Sequence, residues 1–357
     1  MPVCVYRNSS NQNHPAVTFE PGLEFRENSA RCIEIGLLNN MPDSALQSTE
    51  RQFLTLLDSA ADNVVVRLSL YALPDVPRSE SGRAHIDSIY SDFDRLLDRR
   101  LDGLIITGTE PRSADLRDEP YWGSLTRAID WAENNTNSTV LSCLAAHAAV
   151  LHLDGITRKR LDDKRFGLFE CSPVADHHLT TQLPSPVRMP HSRWNDLPEQ
   201  SLKDCGYEVL TRSTEAGADA FVKERRNLMV FFQGHPEYEA NTLLLEYRRD
   251  VGRYLKGQRE TYPAMPNCYF DSNTLQALSA FQSRAISNRG EHLLSELPIS
   301  SAEASLAPVW RPAAVRMYRG WLAYLCADKE RRLRQGRSRI IFGEEDEVRG
   351  RRRAAAG

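Results

Sequence analysis

The chain has 357 residues, 41% hydrophobic and 26% charged, with a formal net charge of -3 and a pI near 6.3. That is room for one large α/β domain or two modest ones, and the charge balance gives no overall pull toward nucleic acid or membrane. No apolar run approaches the ~20 residues of a membrane helix, the N-terminus lacks the apolar core of a secretory signal, and the seven widely spaced cysteines contain no C-x-x-C pair. This argues against both a disulfide framework and a zinc knuckle, and a cytoplasmic protein without a bound metal is expected.

Residues 1–30 are polar and turn-rich, an irregular lead-in. From there to about residue 270, short apolar runs alternate with helical patterns. Ile33 to Leu38, the valine-rich Val64 to Leu70, Leu104 to Thr107, Thr139 to Ser142 and Leu228 to Gln233 read as buried strands. Between them, Thr49 to Leu57, His85 to Leu97 and Tyr121 to Ala132 carry helical periodicity, and Thr242 to Tyr254 follows the last strand. Tyr207 to Leu210 and Ala218 to Val222 read as extended. Strands separated by helices predict βαβ units, hence a doubly wound, mostly parallel α/β sheet over residues 31–270. Residues 271–307, rich in serine, asparagine and glutamine, predict an insertion or a loosely packed excursion. An amphipathic helix over 308–328 offers Trp310, Met317, Trp321, Leu322 and Leu325 for docking, and a charged, partly disordered tail is expected over 329–357.

Two local features carry chemistry. Val140-Leu141-Ser142-Cys143-Leu144-Ala145-Ala146 predicts a strand that delivers a cysteine to a sharp turn at the start of a helix. The helix end favours the thiolate, the reactive form, and its free N–H groups, Leu144 first, can hold an oxyanion. The usual elbow has glycine two residues either side; here Leu141 and Ala145 stand there, so a buried core thiol is the competing reading. Gln233-Gly234-His235-Pro236-Glu237-Tyr238 follows a predicted strand. His235 at that strand end can meet Cys143, and Glu237 can hold the imidazole by its other nitrogen, giving Cys–His–Glu; a plain surface turn is the alternative. His147, His152, His177 and His178 are given packing or surface roles, and Trp122 and Trp194 a place in the core or a pocket wall.

At these residues the sequence resembles the homoserine O-succinyltransferase family, whose fold is similar to the class I glutamine amidotransferases. The resemblance spans about residues 33 to 270 and returns weakly at Trp310 to Leu325. It rests on Ile35-Gly36-Leu37-Leu38-Asn39-Asn40-Met41-Pro42, Asp102-Gly103-Leu104-Ile105-Ile106-Thr107-Gly108, Tyr121-Trp122, the Cys143 stretch, Pro190-His191-Ser192-Arg193-Trp194, the His235 stretch and Glu246-Tyr247-Arg248-Arg249-Asp250-Val251. It implies that Cys143 carries the acyl group of an acyl-CoA co-substrate, with no permanent cofactor. It further implies that His235 is general base and acid, oriented by Glu237, that Arg249 clamps an amino-acid carboxylate, and that Ser192 and Lys164 contact substrate. A homodimer is a family-based expectation, and no nucleic-acid partner is expected.

The sequence departs from the family in three ways. Asp43 and Ser44 replace a lysine pair after Pro42. Arg112 falls where glycine accompanies succinyl and glutamate acetyl; a cation there suits the free carboxylate of a succinyl group. The third departure is the stretch after residue 271. The resemblance implies acyl transfer to homoserine in methionine biosynthesis, with succinyl-CoA favoured over acetyl-CoA. Transfer to serine or another hydroxy amino acid, and a glutamine amidotransferase-like Cys–His–Glu hydrolase, are the alternatives.

Overall fold

The computed structural model describes residues 3–6 and 30–354, with backbone alone from 336 onward. Its strands are β1 (Val3–Tyr6), β2 (Cys32–Leu38), β3 (Val65–Tyr71), β4 (Gly103–Ile106), β5 (Ser138–Ser142), β6 (Lys159–Pro173), β7 (Val187–Asp196), β8 (Glu208–Ser213), β9 (Gly217–Glu224) and β10 (Leu228–Phe232). They form one sheet in the order β1-β3-β2-β4-β5-β10-β9-β8-β6-β7. The pairings from β1 to β10 are all parallel, and those from β10 to β7 are all antiparallel.

The helices are α1 (Asp43–Ala61), α2 (Glu80–Ile89), α3 (Phe93–Leu97), α4 (Trp122–Asn135), α5 (Leu144–Asp154), α6 (Glu199–Asp204), α7 (Thr242–Leu255), α8 (Ser272–Ser287), α9 (Ile299–Ala304) and α10 (Arg311–Ala354). Both faces of the parallel half are covered. Ile105, Val140, Val230 and Phe232 pack with residues of α1, α7 and α10, whereas Leu104, Ile106, Leu141, Met229 and Phe231 pack with residues of α4 and α5. Alternate side chains therefore enter two cores, which explains why these strands read as unbroken apolar runs. The expected doubly wound, mostly parallel architecture is the one observed. No helix among the described residues is long and apolar enough to cross a membrane.

Several segments depart from the sequence reading. Val3–Tyr6, inside the expected irregular lead-in, form an edge strand on β3; the rest of residues 7–29 lie outside the described residues. The periodicity over His85 to Leu97 is two helices, because Ser91 leaves the helix to bridge Tyr71 and its N–H donates to the Leu70 carbonyl at 2.8 Å. The polar segments that became β6 and β7 gave no strand signal, since much of β6 stays exposed or half-exposed. Residues 271–307 are not loosely packed: Leu278, Phe281, Ala285, Leu293, Leu297 and Ala302 are buried in the core shared with α7.

The C-terminal helix also continues past residue 328, through most of the segment expected to be a disordered tail. Trp321 and Leu325 press so closely on β4 that a Cβ at Gly103 would lie 2.9 Å from each, and the Trp321 Nε1–H donates to Ser138 Oγ at 2.8 Å. One turn further, Lys329 reaches Asp102 Oδ2 at 2.7 Å and Arg332 reaches Asp102 Oδ1 at 3.2 Å. The start of the charged stretch is thus a clamp on the sheet rather than a solvated tail. Asp102→Ala removes two ion pairs and the acceptor of the Glu34 N–H, while Lys329 keeps the Cys32 carbonyl and Arg332 keeps Asp328, so the variant is expected to be less stable by about 1.5 kcal/mol. Urea unfolding followed by circular dichroism checks this, and a midpoint equal to the wild type would remove the clamp.

Candidate active site

β5 is buried along its whole length and runs straight into Cys143. That residue has φ 50° and ψ -107°, a conformation sparsely open to a side-chain-bearing residue, and it is the N-cap of α5. The turn is held by the Cys143 N–H donating to the Phe232 carbonyl at 2.7 Å. The sulfur is therefore lifted off the sheet edge at the positive end of α5, whose first-turn N–H groups lack intrahelical acceptors. Gly108, just beyond β4, lets that strand close on the elbow: a Cβ there would lie 2.5 Å from Leu144 Cβ and 3.0 Å from Leu144 N.

β5 and β10 run parallel with Ser142 opposite Phe232, so the residues that follow them leave the same sheet edge side by side. Gln233 anchors the exit, accepting from His147 at 2.9 Å and donating to the Ala218 carbonyl at 2.7 Å. The His235 N–H then donates to the Pro190 carbonyl at 2.8 Å. His235 Nδ1 lies 2.8 Å from Glu237 Oε1, which also accepts from Ser142 Oγ at 3.3 Å. The other ring edge is left toward Cys143, whose charge also acts on the imidazole. Burial alone would push the His235 pKa down; the negative charges of Glu237 and Cys143 outweigh it and hold the pKa well above the usual imidazole value.

Next to this triad lies a second polar cluster built around Glu246 of α7. Tyr238 donates to Glu246 Oε1 at 2.7 Å, and its ring stacks on His235 with centroids 4.2 Å apart. Glu246 Oε2 accepts from Ser192 of β7 and from Lys164 of β6, the latter at 3.4 Å. Arg249, one turn along α7, approaches the same oxygen at 4.0 Å and Asp250 Oδ1 at 3.2 Å. Lys164, Ser192 and Arg249, three separate expectations from the sequence, are thus gathered in one place. Arg112 is set apart: it is exposed and lines a pocket of about 250 Å³ with Pro42, Tyr121 and Arg253. Glu110, from the same loop, pairs with Arg253 at 3.1 Å. Asp43, standing where the family's lysine pair is missing, is engaged by Arg78 at 3.2 Å and by the Ser79 N–H at 2.7 Å. A groove of about 910 Å³ between Leu73, Tyr90, Phe93 and Arg127 contains none of the expected site residues.

A nucleophile with its base, and a cluster of both charges beside it, are the chemical resources of this site. A family model described as homoserine O-succinyltransferase matches residues 15–332. The chain belongs to the homoserine O-succinyltransferase family. It is 49% identical over 303 residues to a homoserine O-succinyltransferase of Rhodopseudomonas palustris, covering 85% of this chain and 91% of that protein. Identity is 46% over 302 residues with the protein of that name from Methylorubrum extorquens, covering 85% and 90%. With the Cardiobacterium hominis protein of that name it is 36% over 344 residues, covering 93% and 95%. Among solved structures, a glutamine amidotransferase of Methylobacillus flagellatus aligns with TM-score 0.44 and 13% identity over 82% of this chain and 95% of that one. One from Thermotoga maritima aligns with TM-score 0.41 and 11% identity over 82% and 98%.

Sequence reasoning missed Glu246 as the hub, although it sits three residues before Arg249 on one helix face, and it missed the Tyr238 ring. It also missed a buried trio behind the site, Cys171, His191 and Asp219, whose polar atoms lie within 4.8 Å of one another. Arg193 Nε–H faces His191 Nδ1 at 3.4 Å, which places the ring proton on Nε2. Nε2 faces Asp219 Oδ1 at 3.3 Å, and neither of these two buried atoms completes a hydrogen bond. We read the trio as a polar support under Gly234, where a Cβ would lie 2.5 Å from Asp219 Oδ1.

Proposed function

We propose that the chain transfers an acyl group, succinyl in preference to acetyl, from acyl-CoA to the hydroxyl of L-homoserine, a step of methionine biosynthesis. The observation that carries this reading is the adjacency of the Cys143–His235–Glu237 triad to the Glu246 cluster, joined by the Tyr238 ring. A hydrolase needs the first; only a transferase needs the second, a site for an amino-acid acceptor.

In the first half-reaction the Cys143 sulfur attacks the thioester carbonyl. The developing oxyanion is received by the Leu144 N–H at the start of α5. The carbon–sulfur bond to CoA breaks, and the leaving thiolate takes a proton from His235. In the second half-reaction His235 removes the proton of the homoserine hydroxyl as that oxygen attacks the Cys143 thioester. The thiolate is expelled, and the ester leaves. Glu237 keeps the imidazole in one orientation and balances its charge. Arg249 receives the acceptor carboxylate as a forked donor, and Glu246 receives its ammonium, with Lys164 and Ser192 closing the same pocket. Arg112, exposed in the separate pocket beside Tyr121 and Arg253, would supply a cation for the far carboxylate of a succinyl group.

The test is turnover of purified protein with succinyl-CoA or acetyl-CoA, each with homoserine or serine, and identification of the ester by mass spectrometry. O-succinylhomoserine is expected as the main product, with kcat/KM at least about tenfold above any other pair. Release of CoA with free succinate and no ester would replace this reading with a hydrolase.

A further inference from the structure

Tyr238 belongs to neither half of the site as usually divided, yet it touches both. Its backbone follows the triad, with its N–H donating to the His235 carbonyl at 3.2 Å, and its own carbonyl is pinned by the Trp310 Nε1–H at 3.0 Å. The ring lies nearly parallel to the His235 imidazole, 17° between planes and 4.2 Å between centroids. The hydroxyl points the other way, to Glu246 Oε1 at 2.7 Å. Glu246 in turn is the carboxylate on which Ser192 and Lys164 converge. Tyr238 is buried, so neither end can turn to water.

From this geometry we infer that Tyr238 is a positioning residue that ties the acceptor pocket to the acid–base step, its ring fixing the plane of His235 and its hydroxyl fixing Glu246. This rests on the acyl-transfer reading above and deepens it. The physical argument has two parts. A π-face laid on an imidazolium favours the charged ring and blocks its rotation out of line with Cys143. A phenol O–H to a carboxylate is a charge-assisted bond, so Tyr238 fixes Oε1 of Glu246 while Ser192 and Lys164 hold Oε2, and the carboxylate cannot rotate. A bound acceptor ammonium adds a second partner to a carboxylate already in place. The acceptor and the base that activates it are then set by one rigid aromatic ring, which is what a second half-reaction in competition with water requires.

The two ends can be cut separately. Tyr238→Phe keeps the stack and removes the bond to Glu246. It is expected to raise the homoserine KM about tenfold while kcat falls by less than about threefold, with the pH profile in place. Tyr238→Leu keeps an apolar wall but removes the π-face. It is expected to move the alkaline limb of kcat/KM to lower pH in addition to the KM effect, and to raise the fraction of acyl-enzyme lost to water. A purely structural role would lower both variants' active fraction without splitting KM from kcat or moving the pH limb. The same preparations are checked for acylation of Cys143 by succinyl-CoA. If the acylated enzyme forms in all three proteins and Tyr238→Phe binds homoserine as the wild type does, or the Tyr238→Leu pH profile superposes on the wild type, this inference fails alone. If the wild type itself takes no acyl group, both it and the proposed function fall.

Discussion

Replacing Cys143 with alanine is expected to lower acyl transfer by about ten-thousandfold or more and to remove any acyl adduct from the protein. No neighbouring group can stand in for the sulfur. Ser142 points its hydroxyl into the triad and donates to Glu237. Cys171 is buried, and burial drives its thiol far above the ordinary range, so it is neither ionised nor reachable. Intact-protein mass spectrometry after mixing with succinyl-CoA reads the result directly. The wild type should gain one succinyl group, lose it on adding homoserine, and the variant should gain none. An adduct of equal size on the variant would place the nucleophile elsewhere; no adduct on the wild type would remove the covalent route altogether.

The parts of this molecule legible in the sequence are those whose physics is local. Buried parallel strands are apolar on both faces, so β2 to β5 and β10 announced themselves. The elbow was legible because a strand, a cysteine and a small-residue helix are contiguous, and His235 with Glu237 because one tight turn carries both. What could not be read is what depends on partners far away in the chain. β6 is polar along much of its length and is a strand only because β7 and β8 supply its ladder. α10 holds its charged turn because Asp102, from a distant loop, receives Lys329 and Arg332. The Ser192–Glu246–Lys164 cluster likewise joins β6, β7 and α7, and no spacing in the sequence predicts that meeting. The elbow's missing glycines have a similar cause. Ala145 is small enough, and the close approach is transferred to Gly108, on another strand end.

The other large effect is expected from Glu237→Gln, which keeps the shape of the side chain and removes its charge. Glu237 is buried, and His235 Nδ1 lies 2.8 Å from its Oε1. With the charge gone, burial of His235 is opposed only by Cys143, and the imidazolium loses its main support. Activity should fall by about a hundredfold to ten-thousandfold, since both the ring's orientation and its charge are lost. The direction of the pH response follows from the sign of the wild-type shift. The folded-state pKa of His235 lies well above its ordinary value, so its proton is held to higher pH in the native enzyme than in the unfolded chain. The stability this contributes is fully present below about pH 6.5, the ordinary imidazole value, and is lost as pH rises through the raised folded value. The variant should lose that pH-dependent part of its stability, and the alkaline limb of its residual kcat/KM should move to lower pH. Measuring kcat/KM and urea midpoints across the same pH series tests both halves at once. An unmoved alkaline limb in a folded variant would mean that Glu237 does not set the charge of His235, and the triad would reduce to Cys143 and His235 alone.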